Sequence, residues 1–273
     1  MAYINQEFPA FYVGRAMAAY VTGTVLGGFL GRFISGLAAH HFDWRVSFLA
    51  IGVLNLAGAI VVQRALPRAK NFVRASSWRH SVAEGTDHLR NVRLLAIFGM
   101  GFAALFCLVG VFTYANSYLA NPPFRLNSAQ LGSVFFVYLL GLIGTPLSGR
   151  FLDRFGIRRT GLLVFVIALV GLTLTIIQNL PMIIARLALL SSGIFIFQAV
   201  GTVQTGIVAQ RARSLAAGLY VTFYYVGGSL GAIVTGWTWL ADGWRACVFL
   251  LMGVAGIALA LAYASSTTTA AGR

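Results

Sequence analysis

Eight apolar runs of about 20 residues constrain this chain more than any other feature. They lie near residues 16–39, 45–66, 93–115, 128–148, 160–178, 181–207, 214–237 and 244–264. Each is long enough to cross about 30 Å of hydrocarbon as a helix. Within lipid every backbone amide must find its partner inside the protein, and a helix does this within one segment. The expected fold is therefore all-α, a polytopic membrane helix bundle with about eight transmembrane helices. Composition agrees. Only 10% of residues are charged and 59% are hydrophobic, whereas a soluble domain carries about 25% charged residues to cover its surface.

The net charge of +14 does not form the single basic face that nucleic acid requires. The arginines fall in alternate loops instead. Arg15, the segment from Arg64 to Arg93, Arg150 to Arg159, Arg211, Arg213 and Arg273 share one side and hold 15 of the 20 basic residues. Arg45, Arg125 and Arg245 stand on the other. The positive-inside rule then places both termini in the cytoplasm. Cys107 and Cys247 fall in or beside apolar runs and read as small buried hydrophobes. Met1 to Arg15 reads as a loop. The long basic segment 67–92 reads as a cytoplasmic linker lying on the anionic inner leaflet, or as a solvated connector.

The chain also repeats itself. Shifted by 200 residues without a gap, Ala16, Tyr20, Val21, Thr22, Gly27, Gly28, Leu30, Gly31, Gly36, Trp44 and Arg45 recur as Ala216, Tyr220, Val221, Thr222, Gly227, Gly228, Leu230, Gly231, Gly236, Trp244 and Arg245. A repeat at so long a period fixes architecture. The first two spans match the last two, with the linker and four spans between. A second unit of six helices implies a first unit of six, of which residues 1–66 supply the fifth and sixth. Residues 93–273 form the complete C-terminal unit. The expectation is that four further helices belong before Met1, and that the chain without them does not transport.

Two local patterns carry a family resemblance. Gly149-Arg150-Phe151-Leu152-Asp153-Arg154-Phe155-Gly156-Ile157-Arg158-Arg159 resembles the loop signature of the major facilitator superfamily, in its position between helices 8 and 9. Gly27, Gly31, Arg32, Ser35 and Gly36 resemble that family's helix 5 antiporter motif, with Arg32 where proline is usual. The segment around Tyr3, Glu7, Gly14, Trp44 and Arg45 is similar to bacterial efflux permeases of the sugar and drug exporter branch. The resemblance implies helices 5–12 of a 12-helix plan, seated in a bacterial inner membrane. It implies a secondary transporter of a small organic solute working by alternating access, in the efflux direction. The alternative is a non-transporting remnant, or a membrane subunit whose partner supplies the missing helices.

No metal-ligand spacing, nucleophile elbow or phosphate loop is present, so neither an enzyme nor a cofactor is expected. Gly149, Asp153, Arg154, Gly156, Arg158 and Arg159 are the expected gating loop, where a charge cluster forms in one state and breaks in the other. They also serve topology. Gly27, Gly31 and Gly36, with Gly227, Gly231 and Gly236, are expected to let helices pack closely. A charge inside a membrane is costly and marks function by default. Arg32 is the foremost such residue, with snorkelling to the outer surface as the competing reading. Arg186 stands near a helix end and reads as snorkelling. By family analogy Tyr114, Asn116, Gln198 and Tyr224 line the substrate cavity, although each could equally bond another helix. None of the six acids lies mid-span. Protons, the candidate coupling ion, would need a carboxylate from outside these helices.

Overall fold

The computed structural model describes residues 3, 7, 8, 10–67, 78–141, 163, 166, 167, 170–172, 178–209 and 211–267. The expected gating residues, Gly149 to Arg159, lie outside this set. Among the described residues the regular structure is helical: α1 (Ala10–His41), α2 (Trp44–Ala65), α3 (Trp78–Arg90), α4 (Val92–Ala120), α5 (Ser128–Val134), α6 (Leu180–Val208) and α7 (Arg213–Thr267). Trp44–Ala65, Val92–Ala120, Leu180–Val208 and Arg213–Tyr263 are long and apolar enough to cross a membrane.

Helix starts are marked by short polar side chains that accept the otherwise unpaired first amides. Asp43 accepts from Trp44 N at 2.6 Å. Asn91 accepts from Arg93 N and Leu94 N at 3.0 and 3.3 Å. Asn127 and Gln130 form a reciprocal capping box at 2.9 and 3.0 Å. Asn179 accepts from Met182 N at 3.2 Å, with Pro181 in the first turn.

α7 is two helices joined at a bend. Asp242 and Gly243 leave helical geometry there, and Gly243 has φ +59°. A residue without Cβ adopts that backbone at little cost. The bend separates the runs read as 214–237 and 244–264. One boundary differs from expectation. α1 is already helical at Ala10, so the reading of Met1 to Arg15 as loop fails over its last six residues. Gly14 lies within the helix, at the roughly 1 kcal/mol penalty that an interior glycine carries.

α4 is the central helix, buried on every side by residues such as Phe98, Met100, Cys107, Val111, Phe112 and Leu119. A helix apolar all round belongs in a core. α7 lies along it, and α6 packs on another side. Glycines set the α4–α7 distance. A Cβ on Gly227 would collide with the Phe102 carbonyl, and one on Gly231 with the Phe106 carbonyl. Gly110 answers from α4, where a Cβ would stand 2.6 Å from Thr235 Oγ1. Tyr114 Oη closes the same seam by donating to Ala232 O at 2.9 Å and lying over Gly236.

α2 behaves differently. Phe48, Leu49, Val53 and Leu56 are exposed, and Ser47 is its buried residue. Ser47 Oγ donates to Ser35 O at 3.0 Å and ties α2 to α1. α3 occupies part of the basic linker. It packs on α4 and α7, with His88 buried and Val82 and Leu89 exposed.

The repeat predicts one packing role for both glycine sets, and among the described residues their surroundings differ. Gly36 does pack closely. A Cβ added to Gly27 or Gly31, in contrast, would meet no atom of the described residues within 4 Å. Gly227→Ala is therefore expected to cost about 1–3 kcal/mol, since a backbone carbonyl must move. Gly27→Ala should leave stability unchanged or slightly raised, as alanine is the better helix former. Thermal unfolding of both variants in detergent checks this contrast.

Candidate functional site

The space left at Gly27 and Gly31 belongs to an open groove of about 590 Å³, here called the cavity, between α1, α4 and α5 and also lined by Ile51 of α2. That volume lies within the range of small-molecule sites. Its position follows from one close crossing. A Cβ on Gly36 would stand 2.7 Å from Ser128 O and 2.9 Å from Gly132 Cα. A Cβ on Gly132 would stand 3.2 Å from Gly36 Cα and 3.3 Å from Arg32 O. α1 and α5 therefore touch backbone to backbone at this point. Toward the N-terminus of α1, Gly31, Gly28 and Gly27 present no side chains, and the space stays open.

Phe29 and Phe33 of α1 also meet Phe136, just beyond the end of α5. Their rings lie 4.7 and 5.3 Å from that of Phe136. Aromatic pairs at such distances add modestly to the area they bury.

Arg32 lines the cavity. A helical side chain leans toward the helix N-terminus, and this one does. Arg32 Nη1 donates to Gly28 O, one turn back, at 3.0 Å. Its guanidinium carbon lies 5.0 Å from the Phe135 ring centre and 5.6 Å from that of Tyr138. Arg32 stays exposed, and attraction to both ring faces helps fix its direction. The side chain is thus directed away from the His40–His41 end of its helix, opposite to the snorkelling reading. Arg186 is buried and also turns back one turn, with Nη2 2.8 Å from Met182 Sδ. That direction leads to the nearby helix end at Pro181.

From α4 come Thr113 and Asn116, with Val109 and Phe112 as apolar wall. Asn116 Oδ1 is buried with no hydrogen-bond partner among the described residues. Ser35 and Ser128 add hydroxyls, and Leu131 and Phe135 complete the α5 side.

Of the five residues expected in the cavity, Arg32 and Asn116 meet there. Tyr114, Gln198 and Tyr224 are not among its lining residues. Tyr114 is engaged with the backbone of α7. Tyr224 is buried in the core beside Tyr220 and Tyr225, at ring distances of 6.3 and 5.6 Å. Gln198 is half-buried on α6, and its carbonyl accepts from Tyr220 Oη at 3.2 Å. Tyr114 thus takes the other reading of a polar group in a span, a bond to a neighbouring helix. Ser35, Thr113 and Ser128 were missed. Ser35 had a legible signal, since i,i+3 spacing puts it on the face of Arg32. Thr113 and Ser128 join through the Gly36–Gly132 crossing, which no local pattern announces.

Comparison with known proteins gives the family. The sequence pattern of the Major Facilitator Superfamily matches residues 1–132 and again residues 120–272. The chain is 29% identical over 252 residues to the MFS-type transporter YybF of Bacillus subtilis, covering 92% of this chain and 62% of that protein. It is 31% identical over 247 residues to the inner membrane transport protein YnfM of Escherichia coli, covering 90% and 59%. A transporter of Buchnera aphidicola from Schizaphis graminum is 29% identical over 245 residues, covering 89% and 59%. The chain thus spans about three-fifths of the length of these curated relatives. Matched along both of its halves, the chain is an integral membrane protein that belongs to the major facilitator superfamily.

Proposed function

We propose that this protein forms part of a secondary active transporter that exports a small organic solute across a bacterial inner membrane. The observation that carries this reading is the cavity between α1, α4 and α5, with Arg32 and Asn116 on facing helices. A midplane site between two helical units, reached in turn from either side, is the physical basis of alternating access. The boundary between the units falls in the basic linker 67–92. α1 belongs to the first unit, and α4 and α5 to the second. A solute held by both units couples their relative motion to its own binding.

The export direction rests on the likeness of the first segment to bacterial efflux permeases, and both termini are placed in the cytoplasm by the loop arginines. Gly149 to Arg159 is proposed as the gating loop, with Asp153 pairing among Arg154, Arg158 and Arg159 in one of the two states. Proton coupling would use a carboxylate outside the eight apolar runs, whose middles contain none.

The test compares culture media of cells with and without the complete transporter of which this chain forms part, by untargeted metabolite analysis. At least one small organic solute should be enriched outside cells that carry it. Arg32→Ala should reduce that enrichment about tenfold or more, the cost of one charge-assisted contact. Tyr114→Phe, outside the cavity, should retain export and lose only about 0.5–1.5 kcal/mol of stability. Media that are identical for every solute would overturn the reading. For the loop, Asp153→Asn should slow export severalfold at unchanged expression, measured as the initial rate of solute appearance.

A further inference from the structure

We infer that the cavity selects an organic anion, with Arg32 as the group that binds its carboxylate. This rests on the transport reading above and names the substrate class of the same site. Arg32 is the one charged side chain among the cavity's lining residues. The others that carry polar groups, Ser35, Thr113, Asn116 and Ser128, are neutral. No carboxylate stands among the cavity's lining residues to neutralise Arg32. A cation held within a membrane protein without a counter-ion is costly. The contacts that Arg32 makes are a carbonyl and two ring faces, and these orient the guanidinium without cancelling its charge. An arginine has five donors in a planar fork suited to a carboxylate, and the Gly28 carbonyl engages Nη1.

One further feature narrows the ligand. Val109, Phe112 and Leu131 form an apolar wall. The ligand class is therefore a small carboxylate with an apolar body. A quaternary cation or a neutral apolar compound fits this cavity poorly, because neither offsets Arg32.

The experiment reads the cavity's charge preference directly. Ser35→Cys places a thiol one turn from Arg32, with Cβ atoms about 5–6 Å apart. Thr113→Cys is the second reporter, on the facing helix. Cys107 and Cys247 are buried and contribute little background. Each reporter is labelled in detergent with an anionic sulfonatoethyl and a cationic trimethylammonioethyl methanethiosulfonate, and rates are normalised to a small free thiol. The anionic reagent should be favoured. Arg32→Gln should lower the anionic-to-cationic ratio about tenfold, as expected for one unit charge at this range. Arg32→Lys should retain most of it. Benzoate should slow labelling severalfold, and the uncharged benzamide should not.

A ratio unchanged by Arg32→Gln at both reporters would overturn the proposal. So would equal slowing by benzoate and benzamide, or slowing by neither. The labelling does not depend on transport. Loss of the charge preference in a protein that still exports its solute refutes the anion proposal alone. A retained preference in a protein that exports nothing refutes the transport reading and leaves the binding site standing.

Discussion

Everything in this bundle depends on helix backbones coming close enough to touch. In lipid there is little hydrophobic force between apolar helices, so association relies on van der Waals contact and on hydrogen bonds between helices. The carbonyls of Phe102 and Phe106 lie on Gly227 and Gly231, and Gly110 faces Thr235. These contacts set α7 along α4 over several turns. Tyr114 then bonds the Ala232 carbonyl, and Cys107 Sγ approaches Leu251 O at 3.7 Å beyond the bend. With α4 fixed in this way, α6 can pack on its remaining side and α5 can lead toward α1. The second close contact, Gly36 on Gly132, sets α1 against that body and leaves the cavity as its by-product.

The two copies of the repeat show how one glycine skeleton serves two ends. In α7 the glycines are filled by a neighbour's backbone. In α1 Gly36 is filled in the same manner, whereas Gly27 and Gly31 open onto the cavity. The flanking residues diverge as well. Trp244 is buried and stacks on Tyr118 at 5.5 Å. Its counterpart Trp44 is exposed beneath the guanidinium of Arg45 at 4.9 Å. Asp43 caps α2, but its counterpart is Gly243, and there the chain turns through a positive φ instead.

Much of the fold was legible because lipid imposes a length and a composition on every span. The long apolar runs, the break at Asp242–Gly243 and the repeat follow from residue order alone. The site was less legible. Arg32 stood out because an intramembrane charge is rare. Asn116 stood beside Tyr114, Gln198 and Tyr224 as one polar residue among several. What separates them is which helix lies opposite, a long-range property with no local trace. The glycines pose the same difficulty. A small residue on a helix face permits close approach, but the sequence does not say whether a backbone or a solute takes the place.

The repeat sharpens the case for Arg32. Its counterpart is Ala232, whose carbonyl receives Tyr114. At equivalent points, one helix is pinned to its neighbour and the other carries a cation with no carboxylate beside it among the described residues. A purely structural arginine would be expected to reach a helix end or a carboxylate, either of which lowers its cost. Arg32 turns instead toward the glycines that create the cavity, and it is held there by Gly28 O, Phe135 and Tyr138. Those contacts fix its direction while leaving its charge unspent. A cation with no carboxylate beside it among the described residues, facing an open groove, is the arrangement that the proposed binding role requires.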